Sequence, residues 1–191
     1  MLDRDNSRRL LMAHQTADSL ESADIEQAIS LLAEQKYFWQ ADNGRNHLTA
    51  SCWILNPSLD AILLLHHRKL DRWLQPGGHI ESCDNDWLGA ALREAREETG
   101  IESFELLQEG IFDFDIHTIP ARGNIPEHKH FDARFLLQAQ QTDLSLSEES
   151  NDLQWFSPDK AASVIGGDPV MDRMLEKTRL YLTAGPSVKC V

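Results

Sequence analysis

Apolar residues fall along this chain in two rhythms. Over residues 1–45 they recur at helical spacing. "SADIEQAISLLAEQK" puts Ile25, Ile29 and Leu32 on one stripe, with Ser22 placed as an N-cap. Arg8 to Ala17 is also mildly helical, and "QADNGRN" closes the region as a loop centred on Gly44. From Leu48 the runs shorten. "LTASCWIL" and "AILLLHH" are divided by the turn chemistry of "NPSLD", which predicts two paired strands.

"WLQPGGHIE" follows as a break and a short extended piece. A helix is then predicted from Asp86 to Thr99, with Leu88, Leu92 and Ala95 as its apolar stripe and Gly100 at C′. "LQEGIFDFDIH" and "HKHFDARFLLQA" read as two more strands and "LQWFS" as a last one. Ser157-Pro158 and Asp168-Pro169 each open a closing helix, with Pro at N1. The expected architecture is α/β: a mixed sheet flanked by helices over residues 46–191, carrying an N-terminal helical appendage over residues 1–45. That appendage is expected to cover a cleft or to form a homodimer contact.

Composition narrows the function. The 191 residues are 41% hydrophobic, enough for a globular core, and their formal net charge is -13. Such a surface repels phosphate backbones, so nucleic acid is not an expected partner. An anionic small substrate would need local cations. The charged start "MLDRDNSRRLLMAHQ" lacks the apolar stretch of a secretory signal, and no apolar run is long enough to span a membrane. Cys52, Cys83 and Cys190 are far apart in sequence and read as reduced thiols in a cytoplasmic protein.

The helix from Asp86 carries the densest chemistry. Glu94, Glu97 and Glu98 share one face within a turn, where like charges repel. One reading is a solvated acidic surface. The other is a hard-cation site, since Mg²⁺ takes carboxylate and phosphate oxygens. Ala90 and Ala91 border that face and are expected to leave room for a ligand.

The wider segment "PGGHIESCDNDWLGAALREAREETGI" resembles the Nudix box, G-x5-E-x7-R-E-U-x-E-E-x-G-U, where U is bulky and aliphatic. Gly78, Arg93, Glu94, Glu97, Glu98, Gly100 and Ile101 match in identity and order, and Gly77 completes a double glycine. Two features depart from the pattern. Gly78 to Arg93 is one residue longer, so Asp84 or Asn85 stands where the first Glu belongs, and Ala95 is small for its U position.

The resemblance implies a Nudix fold and Mg²⁺- or Mn²⁺-dependent hydrolysis of a nucleoside diphosphate linked to another group. It assigns Glu94, Glu97, Glu98 and the Gly77 carbonyl to the metal, and makes Arg93 the residue that orients the glutamates. Metal ions neutralise charge building on phosphate oxygens and acidify the attacking water. The family often takes its general base from a loop before a late strand, which here points to Glu149 first and Glu148 second.

A second polar group lies on the predicted strand pair. Asp113, Asp115 and His117 share one face, as do His128, His130, Asp132 and Arg134; Phe and Ile residues hold the opposite faces. A hairpin setting His117 against His128, Asp115 against His130 and Asp113 against Asp132 is expected. The group reads as an ion-paired surface, as a wall contacting substrate through His117, His128, His130 and Arg134, or as an additional metal site at Asp115, His130 and Asp132. The cleft shared with Glu97 is expected to include His128, His130, Asp115 and Asp132. Arg68, ending a strand, and His79, following the glycines, are further candidate substrate contacts. Two rivals to a hydrolase remain: a Nudix-fold sensor or scaffold that binds a nucleotide derivative without turnover, and an isomerase using Cys52 or Cys83.

Overall fold

The computed structural model describes residues 2–42, 44–147 and 150–184. Two helices, α1 (Arg4–Ala13) and α2 (Ser19–Glu34), precede β1 (His47–Leu55), β2 (Ile62–His67), β3 (Arg72–Leu74) and β4 (Gly77–His79). Then come α3 (Trp87–Thr99), β5 (Phe104–Leu106), β6 (Asp113–Ile119), β7 (His128–Ala139), β8 (Ser150–Phe156), α4 (Pro158–Ile165) and α5 (Pro169–Ala184). The sheet is mixed: β1 and β7 run parallel over their lengths, and the other pairings are antiparallel.

Helix limits follow the caps. The N-cap of α2 is Asp18, whose carboxylate accepts from the backbone N–H groups of Leu20 and Glu21, so the helix starts a turn before the expected Ser22. In α3, Asp86 accepts from the Gly89 N–H, and Gly100 ends the helix in the left-handed region at φ 71°. Ser157-Pro158 opens α4 without a side-chain cap bond, whereas Asp168 caps α5 through the Val170 and Met171 N–H groups.

The core lies on both sides of the sheet. On one side Ala50, Cys52, Phe114, Phe131 and Phe135 pack with Leu11 and Leu32 of the N-terminal helices and with Trp87, Ala90, Ala91 and Ala95 of α3. Ala90 and Ala91 are wholly buried, which overturns their expected place beside a ligand: their small side chains let α3 approach the sheet. On the other side Trp53, Leu55, Leu64 and Leu136 pack beneath α4 and α5.

The N-terminal helices do not cover the cleft described below; among the described residues, none that lines it precedes Thr49. Instead α2 caps the outer edge of β6. Glu21 and Asp24 accept from the backbone N–H groups of Phe114 and Ile116, which face away from β7. Side chains thus satisfy donors that an exposed strand edge would offer to another chain. Glu21 is fully buried and also accepts from Lys177 Nζ at 2.7 Å, with His14 Nε2 at 2.9 Å. Burial pushes its carboxyl up, but the bonds from His14, Lys177 and Thr16 outweigh this and hold it far below the ordinary carboxylate range. A depressed folded-state pKa stabilises above the unfolded value and loses that contribution as pH falls through the folded one. Glu21→Gln is therefore expected to lower stability at pH 7 and to flatten the acid limb of a denaturant-midpoint profile below about pH 4.5, the ordinary carboxylate value. An unchanged acid limb would refute this.

Candidate active site

The Gly77-Gly78 pair lets the acidic helix meet the sheet. A Cβ on Gly77 would lie 2.6 Å from Ser51 Cα, and one on Gly78 would lie 2.7 Å from the Glu94 carboxylate. Strand β4 therefore runs tightly beside β1 while the Glu94 carboxylate sits against it. Glu98 accepts from the Gly77 N–H at 2.8 Å.

Arg93 resolves the departure in the preceding loop. Its Nε and Nη2 each donate to Asp84, both at 3.0 Å, forming a two-pronged pair. Asp84, and not Asn85, takes the place of the pattern's first Glu; the extra residue falls after it. Arg93 also donates to the His79 carbonyl at 2.8 Å and to Glu94 at 3.0 Å, and it stands 3.4 Å from Glu97. It thus ties loop, β4 and two of the glutamates together. Burial raises the Glu94 carboxyl pKa, and Arg93 only partly offsets this. Glu97 is exposed. The like charges are separated by local partners, Arg93 for two and the Gly77 N–H for the third.

A cleft of about 660 Å³ opens beside these carboxylates. It is lined by Glu94, Glu97 and Glu98, by His79, His117, His130 and Asp132, and by the cations Arg93, Lys69 and Arg122. One wall is apolar, with Leu65, Leu70 and Leu74. Lys69, Arg122 and Ser147 were not singled out by sequence, because they stand on loops that only the fold brings together.

The β6–β7 register differs from the expected hairpin by one pair step. His117 faces His130, Asp115 faces Asp132 and Asp113 faces Arg134, because β6 continues to Ile119 before turning. The polar face is graded. His130 and Asp132 reach the cleft, whereas Arg134 lies behind it, 4% exposed and paired with Asp113, Asp115 and Asp132. The guanidinium of Arg134 is thus spent on aspartates and has no face on the cleft. Asp115 likewise turns inward, towards Arg134 and His117. Burial pushes the Asp132 carboxyl up; Arg134 counters it, and the Thr49 and Ser51 hydroxyls donate to it at about 3.0 Å.

The additional metal set expected at Asp115, His130 and Asp132 is not the one the fold gathers, since both aspartates are turned onto Arg134. Among the described residues His130 groups with His47 and His79, with one ring nitrogen of each within 4.8 Å of the others. His47 escaped the sequence reading, though its alternation with Thr49 and Ser51 marked the polar face of β1. Burial lowers the His47 pKa to about 4 and the His130 pKa to about 2, so both rings are neutral at pH 7. At His117 burial has the same tendency, but Asp115 outweighs it and raises the pKa. His128 stacks on His47 with ring centroids 5.4 Å apart and does not line the cleft.

Arg68 also stands outside the cleft lining; it donates to the Ser150 carbonyl and to Asn151. Glu148 and Glu149 lie outside the described residues. Neither described cysteine has the setting of a reactive thiol. Cys52 is buried with its Sγ 3.1 Å from the Ala91 carbonyl, and exposed Cys83 is beside Glu81; both pKa values are raised.

Comparison with known proteins extends this picture. A model of the NUDIX domain matches residues 45–178. The rat asymmetrical bis(5'-nucleosyl)-tetraphosphatase is 26% identical over 149 residues, covering 75% of this chain and 92% of the relative. A probable DHNTP pyrophosphohydrolase of Lactococcus lactis is 29% identical over 136 residues, covering 70% of this chain and 78% of the relative. Among solved structures, a NUDIX-family hydrolase from Clostridium perfringens superposes with a TM-score of 0.52 at 25% identity, covering 70% of this chain and 97% of that one.

Proposed function

The chain belongs to the Nudix family, and from that premise we propose that its cleft hydrolyses a phosphoanhydride bond in a nucleoside diphosphate linked to a second group, with Mg²⁺ or Mn²⁺. The observation that carries this reading is the meeting of Glu94, Glu97 and Glu98 with cationic side chains around one cleft. Among the described residues, Lys69 and Arg122 line that cleft without pairing to the three glutamates, which suits an anionic ligand placed between them.

The donor set suits a hard ion: three carboxylates and the Gly77 carbonyl, all oxygens. When bound, the ion would neutralise phosphate charge and lower the pKa of the attacking water. Arg93, locked by Asp84, holds Glu94 and Glu97 at the cleft, and the Gly77 N–H holds Glu98. Lys69 and Arg122 attract the substrate phosphates and offset the overall negative field. His117, kept protonated more readily by Asp115, adds a donor on the far wall. The leucine wall takes an apolar face of the nucleoside or its linked group. Glu149, with Glu148 second, is assigned as the general base on sequence position alone, between Ser147 and β8.

The relatives' substrates direct the test. The full-length protein is to be incubated with diadenosine tetraphosphate, dihydroneopterin triphosphate and a set of X-linked nucleoside diphosphates, each with Mg²⁺ and with Mn²⁺. Product release from at least one compound, stopped by chelator, is expected. Tight calorimetric binding without product after long incubation would favour the sensor reading.

A further inference from the structure

Three hydrogen-bonded strands carry an imidazole each to one spot. β1 lies between β4 and β7, with Thr49 opposite His79 and His47 opposite His130. His47 and Thr49 point to the same face of β1, so His47, His79 and His130 converge over it. Ring centroids are 4.6 Å apart for His47–His130 and 5.2 Å apart for both His47–His79 and His79–His130. None of these imidazole rings is among the donors assigned to the glutamate site.

The ring nitrogens show what the cluster is built to take. His47 Nδ1 lies 2.7 Å from the Arg45 carbonyl. A carbonyl only accepts, so Nδ1 carries the proton and Nε2 keeps a bare lone pair. That Nε2 is buried and has no hydrogen-bond partner, and the same holds for His130 Nε2. A buried ring nitrogen without a partner is costly, and two beside a third imidazole are hard to account for as packing. An anion would meet the His47 lone pair and be repelled. A Lewis acid would satisfy that lone pair and draw in the neighbouring rings. The bond from a ligand histidine's other nitrogen to a carbonyl is the arrangement that fixes tautomer and orientation in metal sites. His128, stacked on His47 and tilted against His130, repeats it, with Nδ1 3.0 Å from the Pro126 carbonyl.

We propose that His47, His79 and His130 form a second metal site, for a divalent transition-metal ion of the Zn²⁺ class, distinct from the carboxylate site. Imidazole donors suit such ions and not Mg²⁺. Three nitrogens at roughly 2.1 Å from zinc stand about 3.4 Å apart, so the rings close inwards on the ion from their present spacing. His79 and His130 also line the cleft, so the ion's remaining position opens onto it and accepts an anionic oxygen such as a phosphate. His79 is bound to the carboxylate site through its own carbonyl, which accepts from Arg93. The site does not depend on the hydrolase reading: failure to turn over any phosphoanhydride would leave it standing.

The test uses untagged full-length protein, stripped by chelator and dialysed, then titrated with Zn²⁺ by calorimetry and with Co²⁺ by visible absorption. One tight equivalent and the intense band of a four-coordinate Co²⁺ are expected in the wild type and in Glu97→Gln. His79→Ala, at an exposed position that leaves the fold intact, and His130→Ala should each weaken binding at least about tenfold, as loss of supporting groups around a metal does. A melting curve on each variant separates lost ligation from lost folding. Absence of the tight equivalent in the wild type overturns the proposal, as does its retention by the folded His79→Ala variant. Loss in Glu97→Gln as well would place the ion at the carboxylates and overturn it too.

Discussion

Glu97→Gln and Glu98→Gln are each expected to lower kcat by about 10²–10³-fold, the scale seen when one preorganised electrostatic group is lost from a reacting centre. The fold should survive. Glu97 is exposed, and a glutamine at position 98 still offers an oxygen to the Gly77 N–H. Removing one of three neighbouring like charges should leave the metal-free melting temperature unchanged or slightly raised. Activity is to be measured beside a thermal melt and a Mg²⁺ titration. Full activity in both variants would remove the carboxylate metal site. A loss of activity that tracks a collapsed melt would show the glutamates to be structural.

The largest effect on stability should come from Asp113→Asn. Asp113 is fully buried, and its carboxylate takes Arg173 Nε at 2.8 Å, Lys177 Nζ at 2.8 Å and Arg134 at 3.3 Å. The group joins β6 and β7 to α5, and through Lys177 it also reaches Glu21 of α2. Removing the central charge takes from Arg134, Arg173 and Lys177 the one carboxylate they share, leaving Glu21, Asp115 and Asp132 as their remaining buried partners. Breaking a buried pair in this way costs about 3–5 kcal/mol, which corresponds to a fall in melting temperature of roughly 10 °C for a chain of this size. Because Lys177 also pairs with buried Glu21, Lys177→Met should be destabilising by itself but cost less in the Asp113→Asn background than in the wild type; strict additivity of the two changes would refute the coupling. Such networks hold elements in register, and here the register is what brings His130 and Asp132 to the cleft.

The acidic helix and the order of its polar residues were legible from the sequence alone. Asp86 as cap, Gly100 at the end and the spacing of Arg93, Glu94, Glu97 and Glu98 are local features, set by neighbours within a few turns. The double glycine and the strand pattern belong to the same class, because side-chain alternation and helical periodicity are written in consecutive residues. The remaining features depend on contacts between distant segments. Whether Asp84 or Asn85 reaches Arg93 depends on a loop folding back over nine residues. The pairing of β6 with β7 depends on where the strand yields to its turn, and a shift of one pair step moved every cross-strand partner. Ala90 and Ala91 looked like open space on a helix drawn alone, but the sheet beneath α3 fills it. His47, His79 and His130 come from three separate segments, and no sequence spacing relates them. Parallel pairing of β1 with β7, and antiparallel pairing of β1 with β4, place their rings together, because hydrogen-bonded strands lie only about 4.8 Å apart.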